Sequence, residues 1–265
     1  MLFRKILTIK LCFVIIISEV KDKVKEQFNK LKTTIFETFY PGFSCDGCGI
    51  ELKDNSLRLC NDCLSKLVFH NGKTCKFCGT NIKEEELVCE RCKTTHYNFD
   101  TAISVCDYNE LGAYLIKSFK FDGNYYVGET IANLMVKYFK ERKIKADYIT
   151  FVPLGEERFK DRGFNQSQVL AELISKGLNI PCVDLLVKVK ETPKQSLLSM
   201  KERFENLKDA FKIKEKINLK GKTIILIDDV FTTGTTLNEC SLVVKKLRPE
   251  KIIAFTFAKT VKLED

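Results

Sequence analysis

Apolar residues near the start of the chain recur every three or four positions between Glu19 and Phe39. This period places them on one face of a helix, with charged residues on the other face. The Tyr-Pro-Gly that follows at positions 40–42 is typical of a helix end. The sequence therefore predicts an N-terminal extension, residues 1–40, that contains an amphipathic helix. Its apolar positions are Val20, Val24, Phe28, Leu31, Ile35 and Phe39.

Beyond Cys92, short apolar runs alternate with amphipathic segments. Strands that alternate with helices form a mostly parallel sheet, which helices cover on both faces. This pattern predicts an α/β domain over residues 98–265. The predicted strands are Phe99–Tyr108, Asp147–Pro153, Thr223–Ile227 and Ile252–Ala258. The predicted helices are Tyr125–Lys140, Asn165–Lys176 and one whose buried face carries Leu237, Cys240, Ser241, Val244 and Leu247.

The chain has 265 residues and a formal net charge of +9. This length suffices for one or two domains. The positive surplus favours a polyanionic partner, such as nucleic acid or a phosphorylated ligand. Because the lysines and arginines form no long run, a well-solvated surface explains the surplus equally well. Charge alone therefore leaves the partner open.

A basic segment followed by an apolar one begins the chain. Arg4 and Lys5 precede the apolar run Ile6–Ile17, which Lys10 interrupts. This order is similar to that of a signal peptide. The run is too short to span a bilayer, and no small-residue cleavage site follows at positions 18–21. The sequence therefore predicts a cytoplasmic protein without stable membrane insertion.

Eight of the twelve cysteines form four Cys-x-x-Cys pairs within a predicted domain over residues 41–95. One such turn points two thiolates at a metal, and two turns supply the four sulfurs that tetrahedral Zn²⁺ prefers. Four sulfur ligands leave no open position for a substrate. We therefore expect two structural zinc ions and a reducing compartment. The pairs are Cys45/Cys48, Cys60/Cys63, Cys75/Cys78 and Cys89/Cys92.

The spacing leaves the pairing of the four turns open. Adjacent turns would close shorter loops, whereas alternate turns would give a cross-braced arrangement. An iron–sulfur cluster is the alternative metal group, although widely separated pairs fit it less well. We expect neither His70 nor His96 to be a ligand, because eight thiolates are already present. The remaining cysteines, expected to be small buried hydrophobes, are Cys12, Cys106, Cys182 and Cys240.

The predicted strand Thr223–Ile227 is followed by two adjacent carboxylates, Asp228 and Asp229, and then by the loop Thr232–Thr236. Backbone N–H groups and a helix N-terminus at the end of such a strand bind phosphate, and Gly234 permits close approach. The carboxylates suit diol hydroxyls or Mg²⁺ instead. Phosphate and a vicinal diol together describe a ribose 5-phosphate. The alternative is a polar turn before a capped helix.

The segment Ile227–Thr236 resembles the signature with which type I phosphoribosyltransferases bind phosphoribosyl pyrophosphate (PRPP). From Cys45 onward the chain resembles the ComF family of competence-associated proteins. This resemblance implies a type I phosphoribosyltransferase fold, with a mostly parallel sheet flanked by helices, and an N-terminal double zinc-ribbon domain. The other matching residues are Val152, Pro153, Leu154, Arg158, the segment 162–167 (Arg-Gly-Phe-Asn-Gln-Ser), Thr192, Gln195, Arg203, Asn206 and Phe211.

The same resemblance implies roles within the site. Asp228 and Asp229 would hold the ribose hydroxyls. The turn at Leu154 and Gly155 would approach the pyrophosphate, with Mg²⁺ as its counter-ion. Residues from about Lys188 to Phe211 correspond to a flap over the site. The groups that would surround the 5-phosphate are Thr232, Thr233, Gly234, Thr235 and Thr236. The candidate pyrophosphate partners, otherwise ordinary surface residues, are Arg158 and Arg162.

Two functions are compatible with this resemblance. The first is phosphoribosyl transfer from PRPP to an unknown acceptor, associated with DNA uptake in natural transformation. The second is a non-catalytic adaptor of the competence machinery that binds single-stranded DNA or senses a nucleotide. In that case the zinc ribbons and the basic surface would contact the DNA strand. The expected partners are PRPP or a related nucleotide, and for the second function single-stranded DNA and competence proteins.

Overall fold

A computed structural model describes residues 44–52, 57–121, 124–190 and 206–260. The predicted N-terminal helix and Cys12 lie outside the described residues. So do Thr192, Gln195 and Arg203 of the predicted flap. Within the described ranges, no helix has both the length and the apolar character needed to cross a bilayer.

The central sheet has four strands, all parallel, in the order β1-β6-β5-β2. This confirms the predicted parallel sheet. A separate antiparallel pair joins β3 to β4. The strands are β1 (Thr101–Asp107), β2 (Tyr148–Phe151), β3 (Leu186–Lys188), β4 (Phe211–Ile213), β5 (Thr223–Phe231) and β6 (Lys251–Lys259).

Strand β5 differs from its prediction. It extends beyond Ile227 to Phe231, so Asp228 and Asp229 lie within the strand and not after it. The reason is pairing with β6, which continues as far as Phe231 opposite Lys259. The two carboxylates therefore have extended backbone.

Three of the helices confirm predicted ones. Two others outside the cysteine region, α3 and α5, were not predicted. The short helices α1 and α2 belong to the cysteine region. Helix α5 was missed because none of its residues is buried, so it has no apolar period to recognise. The helices are α1 (Asn61–Lys66), α2 (Glu90–Lys93), α3 (Glu110–Phe121), α4 (Tyr125–Glu141), α5 (Glu156–Arg162), α6 (Gln166–Leu178) and α7 (Thr235–Val244). The predicted position Leu247 lies in a 3₁₀ turn after α7.

Two hydrophobic cores cover the two faces of the sheet. Along β5, Ile225 and Ile227 pack in the core that holds α3, α4 and α6. Ile224 and Leu226 pack in the other core, with the apolar side of α7. The alternation follows from the two-residue period of a strand. Both faces of the sheet are therefore buried, as its apolar strands predict.

Each half of the cysteine region packs on a different face of the sheet. Cys45 and Cys63 belong to the core of α3 and α4, and a Cβ atom added at Gly47 would lie 3.1 Å from the Leu111 side chain. Cys75 belongs to the core of α7. A Cβ at Gly79 would lie 3.0 Å from the backbone oxygen of Ala102 in β1. The two halves are thus integral parts of the two cores.

Candidate active site and metal centres

The structure brings the cysteines together as two groups of four, each made of adjacent turns. Within each group the sulfur atoms all lie within 4.8 Å of one another. Amide groups point at the sulfurs: the N–H groups of Gly47 and Cys60 donate to Cys45 Sγ at 3.4 and 3.3 Å. Four convergent thiols with amide donors fit a tetrahedral zinc ion, with no open ligand position. The groups are Cys45, Cys48, Cys60 and Cys63, then Cys75, Cys78, Cys89 and Cys92.

Backbone amides make the thiol of Cys45 more acidic than an ordinary thiol. Burial raises its pKa, but amide hydrogen bonds from Cys60 and Gly47 lower it more, to about 7. Thiolate is the form that binds metal, so these amides favour zinc binding at neutral pH. They also explain why small turn residues accompany the Cys-x-x-Cys pairs.

Neither histidine belongs to a cysteine group. His70 is fully buried, and its ring nitrogens lie 2.6 Å from an Asp107 carboxylate oxygen and 3.1 Å from the Ser104 carbonyl oxygen. His96 is exposed. Of the other cysteines that the structure describes, Cys106 and Cys240 are buried and Cys182 is partly buried.

A cleft of about 200 Å³ opens at the carboxyl ends of β2 and β5. In parallel sheets this edge is where ligands bind. The cleft collects most of the predicted site residues, together with Lys120 from α3, which the sequence did not indicate. The predicted site residues on its walls are Leu154, Gly155, Arg158, Arg162, Asp228, Asp229, Thr232 and Thr236.

The two carboxylates of the cleft have different partners. Asp228 accepts hydrogen bonds from the Ser167 hydroxyl at 2.8 Å and from the Asp229 amide at 3.0 Å. Asp229, which is 8% exposed, forms an ion pair with the Lys120 ammonium. Lys120 was not predicted as a site residue, because α3 was not predicted. Only tertiary packing brings this lysine to β5.

Asp228 is difficult to ionise. Burial, and then the negative charge of Asp229, raise its pKa from 3.8 to about 7, while the Ser167 hydrogen bond and the Lys120 charge act in the opposite direction. At neutral pH the group is therefore close to half-protonated. A carboxyl in this state can accept hydrogen bonds from ligand hydroxyls or exchange a proton.

We expect Asp228→Asn to stabilise the free protein above neutral pH. Because the pKa is about 7 in the folded protein and about 3.9 in an unfolded chain, ionisation favours unfolding. This contribution is absent below about pH 4, grows as the pH rises towards 7, and is complete above it. The variant should unfold about 5 °C higher than wild type at pH 8, with a smaller gap at pH 5.5.

Thermal denaturation of wild type and variant at these two pH values measures the gap. Asp161→Asn, a matched charge change on the exposed side of α5, should show no such pH-dependent gain. A gap for Asp228→Asn that does not change with pH would mean that the carboxyl titrates normally.

The two candidate arginines lie on α5, a helix that the sequence did not predict. Arg162 donates to Gln166 Oε1 at 2.9 Å, and its guanidinium lies 5.3 Å from the centre of the exposed Phe121 ring. Burial lowers the pKa of Arg162, against the opposing charge of Asp229. Arg158 lines the same wall. Both candidate pyrophosphate partners therefore line the same cleft as the two carboxylates.

The turn between α5 and α6 fixes Asp228. Asn165 caps α6, where its side chain accepts from the Ser167 and Gln168 amides, and its Nδ2 donates to the Val152 carbonyl at 3.0 Å. These bonds place the Ser167 hydroxyl against Asp228. The structure thus assigns Asn165 and Ser167 of the Asn-Gln-Ser segment a role in positioning Asp228, which the sequence alone did not indicate.

The Thr/Gly loop, residues 232–236, begins directly where β5 ends. Gly234 has φ 78° and caps α7, and a Cβ there would lie 2.6 Å from the Phe231 ring. Only glycine suits this position. Thr232 and Thr236 line the cleft. Thr233, whose hydroxyl lies 2.8 Å from that of Thr235, and the buried Thr235 do not. The predicted phosphate contacts of the loop stay a prediction.

The predicted flap has a defined base. Lys188 in β3 lies opposite Phe211 in β4, and both side chains line the cleft. The stretch between them, residues 191–205, lies outside the described residues. The described residues on either side of this stretch, Lys188 and Leu207, both line the cleft.

Comparison with known proteins matches both regions of the chain. A phosphoribosyl transferase domain family matches residues 165–263, and a double zinc ribbon domain family matches residues 35–93. The fold is therefore a type I phosphoribosyltransferase fold with an N-terminal double zinc ribbon, as the resemblance implied.

Three curated relatives span most of the chain. Competence protein F of Haemophilus influenzae is 32% identical over 226 residues, which are 82% of this chain and 97% of that protein. DNA utilization protein YhgH of Escherichia coli K12 is 28% identical over 75% of this chain and 88% of that protein. Competence protein ComFC of Bacillus subtilis is 27% identical over 77% of this chain and 85% of that protein.

Proposed function

The chain belongs to the ComF family of competence proteins, and on that premise we propose that it binds PRPP with Mg²⁺ and transfers its phosphoribosyl group to an acceptor. The names of its relatives refer to competence and DNA utilization, so we place this activity in DNA uptake. The acceptor stays open, because nothing on the walls of the cleft identifies one base.

The convergence of opposite charges in one cleft supports this proposal most strongly. The cleft is lined by Asp228 and Asp229 and also by the cations of Lys120, Arg158 and Arg162. The carboxylates suit the ribose hydroxyls of PRPP, and the cations suit its phosphates. A polar turn before a capped helix, the alternative explanation of the loop, would need no such arrangement.

An unsatisfied donor in the same cleft also favours a bound anion. Gln166 is 3% exposed, and its Nε2 atom has no hydrogen-bond partner among the described residues. A buried amide donor without a partner destabilises a fold by about 1–3 kcal/mol. An oxygen of a phosphate ligand would satisfy it.

The proposed reaction is a displacement at the anomeric carbon of PRPP. A nucleophile of the acceptor forms a bond to that carbon while the bond to the pyrophosphate oxygen breaks, and pyrophosphate leaves with the bonding electrons. Asp228 and Asp229 would orient the ribose, and Arg158 and Arg162 would stabilise the leaving charge. The two carboxylates are also oxygen ligands of the kind that Mg²⁺ prefers, and Mg²⁺ would neutralise part of the pyrophosphate charge.

Single-stranded DNA binding is the second candidate, and a surface next to the cleft favours it. Tyr114, Lys117 and Phe121 share the exposed face of α3, and Phe121 is 68% exposed. Exposed rings beside cations stack unpaired bases without sequence preference. This face ends at the mouth of the cleft, where Arg162 covers Phe121.

Calorimetric titration of the zinc-loaded chain with PRPP and Mg²⁺ tests the proposal. We expect one site per chain, with a dissociation constant between about 1 µM and 1 mM, the range of ordinary enzyme substrates. The parallel titration uses a single-stranded oligonucleotide. Binding of the oligonucleotide without any heat from millimolar PRPP would reject the proposal in favour of the second candidate.

A further inference from the structure

Gln166 carries a buried hydrogen-bond donor in the wall of the cleft. In the part of the chain that the structure describes, three buried side-chain atoms have no hydrogen-bond partner, and only Gln166 Nε2 belongs to a residue that lines the cleft. The other two, on Thr150 and Ser241, belong to residues that do not line it. Gln166 itself is 3% exposed. Its donor therefore lies where a ligand in the cleft can reach it.

Arg162 determines how the Gln166 amide is turned. Arg162 Nη1 donates to Gln166 Oε1 at 2.9 Å. A guanidinium group has donors only, so the amide must direct its oxygen at Arg162 and keep Nε2 for another acceptor. The same arginine lines the cleft. Arg162 can therefore act on a ligand in two ways, by its own charge and through the orientation of Gln166.

The backbone at Gln166 is equally well fixed. Gln166 is the first residue of α6, a helix of 13 residues that Asn165 caps. The N-terminus of such a helix favours a nearby anion. The next residue, Ser167, donates from its hydroxyl to Asp228. Two consecutive residues of one helix turn thus present an amide donor and hold a carboxylate, so the spacing between the two is set by α6.

The position of this donor suits one end of a doubly phosphorylated ribose. Such a ligand needs an anion site on each side of its hydroxyl groups. The proposed function gives the 5-phosphate to the Thr/Gly loop, which follows β5. Gln166 and Arg162 belong to the segment that follows β2, together with the turn at Leu154 and Gly155. An amide also has no charge, so it can bind a phosphate oxygen without pairing with a carboxylate, as Lys120 does with Asp229.

We propose that Gln166 binds the pyrophosphate end of the ligand, donating from Nε2 to a phosphate oxygen, and that Arg162 is the positioning residue that turns the amide towards it. This inference rests on the proposed function, since it assigns one more contact within the same cleft. The contact is kept while pyrophosphate leaves, because the oxygen that accepts from Nε2 stays on the leaving group. Free pyrophosphate should therefore use Gln166 as PRPP does.

Calorimetric titration of the zinc-loaded full chain with inorganic pyrophosphate and Mg²⁺ tests this contact. Gln166→Met removes the donor without adding charge, and we expect it to bind pyrophosphate about 10-fold more weakly than wild type, as expected for the loss of a hydrogen bond to a charged group. Its affinity for ribose 5-phosphate, titrated in parallel, should not change. Gln168→Met is the matched control, because Gln168 lies in the same helix turn, donates to Glu172 at 2.9 Å and does not line the cleft.

Gln166→Glu separates ligand binding from a structural role. Glutamate has the shape of glutamine and still offers an oxygen to Arg162, but it replaces the donor by a second acceptor. We expect this variant to melt no lower than wild type, because no buried donor is left without a partner, and to lose pyrophosphate binding. A lower melting temperature with wild-type pyrophosphate affinity would mean that Gln166 serves the fold alone, and would overturn the proposal.

A double variant tests the role of Arg162. If Arg162 orients the amide, Gln166→Met should weaken pyrophosphate binding by less than about threefold in an Arg162→Met background, because the two changes share one interaction and are not additive. The full loss of about 10-fold in that background would show that Gln166 acts without Arg162. That result would overturn the positioning role.

The remaining outcomes separate this inference from the proposed function. Wild-type pyrophosphate affinity in Gln166→Met, in a chain that binds PRPP, would overturn the inference and leave the proposed function intact. Weaker binding of ribose 5-phosphate with unchanged binding of pyrophosphate would place the donor at the other end of the ligand and also overturn it. A wild-type chain that gives no heat with either PRPP or pyrophosphate would reject the proposed function and the inference together.

Discussion

The double variant Asp228→Asn/Asp229→Asn should lose PRPP binding almost completely. Each carboxylate would accept hydrogen bonds from ribose hydroxyls, and a hydrogen bond to a charged group contributes about 1.5–3 kcal/mol. Losing two such interactions weakens binding at least about 100-fold, since 1.4 kcal/mol corresponds to a factor of ten. The measurement is calorimetric titration with PRPP and Mg²⁺, beside wild type at pH 8.

The fold should survive this change, which makes the result interpretable. Asparagine has the shape of aspartate, and its amide oxygen can still accept from the Ser167 hydroxyl, which now lies 2.8 Å from Asp228. Removing the Asp228 charge also relieves the ionisation penalty behind its raised pKa. Asp161→Asn serves as the matched control, because it changes charge on α5 without lining the cleft. Wild-type affinity in the double variant would exclude the carboxylates from binding.

The sequence predicted most of the strands and helices that have a clear apolar period, but it missed α3, which buries Leu111, Leu115 and Phe119. Strands β1, β2, β5 and β6 and helices α4, α6 and α7 all appear within a few residues of their predicted positions. Helix α5 shows the limit of this reasoning. It has no buried residue, so it leaves no periodic signal in the sequence.

The cleft was predictable where chemistry and local sequence coincide. Asp228, Asp229 and the Thr/Gly loop follow one another along the chain, so one segment indicated them. Lys120 did not appear, because it is more than one hundred residues away in sequence and reaches Asp229 only through packing of α3 on the sheet. A lysine on an amphipathic helix looks like any solvated lysine until that packing is known.

The cysteine spacing predicted two metal sites but not their surroundings. It left the pairing of the four turns open, and the structure groups adjacent turns. The two groups pack in different cores of the sheet, as the contacts at Gly47 and Gly79 show. Such contacts depend on shape between distant segments, which Cys-x-x-Cys spacing does not encode.

Loss of either zinc ion should destabilise the whole described fold, and not only the cysteine region. Structural zinc contributes about 10–16 kcal/mol to the folding of small zinc domains, whereas a typical protein is stable by only about 5–15 kcal/mol. Cys63 and Cys92 are 2% and 3% exposed and lie in different cores. We therefore expect Cys63→Ser and Cys92→Ser each to lose one zinc ion and to unfold at least about 10 °C lower than wild type.

Native mass spectrometry counts the ions, and circular dichroism follows unfolding, since the chain has no tryptophan. Cys182→Ser is the control, because Cys182 is partly buried but belongs to neither group. Where a variant cannot be purified, stepwise chelation of wild type gives the same test: the sheet should melt as zinc leaves. A sheet that keeps its melting temperature after both ions are removed would show that the cysteine groups do not support the cores.

Paired substitutions test the grouping of the ligands directly. Cys45→Ser/Cys60→Ser alters a single group in the structure, so this variant should keep one zinc ion. Cys45→Ser/Cys75→Ser alters both groups and should keep none. In a cross-braced arrangement the two results would be exchanged, because Cys45 and Cys60 would then belong to different ions. The counts therefore separate the two arrangements even if both variants are less stable than wild type.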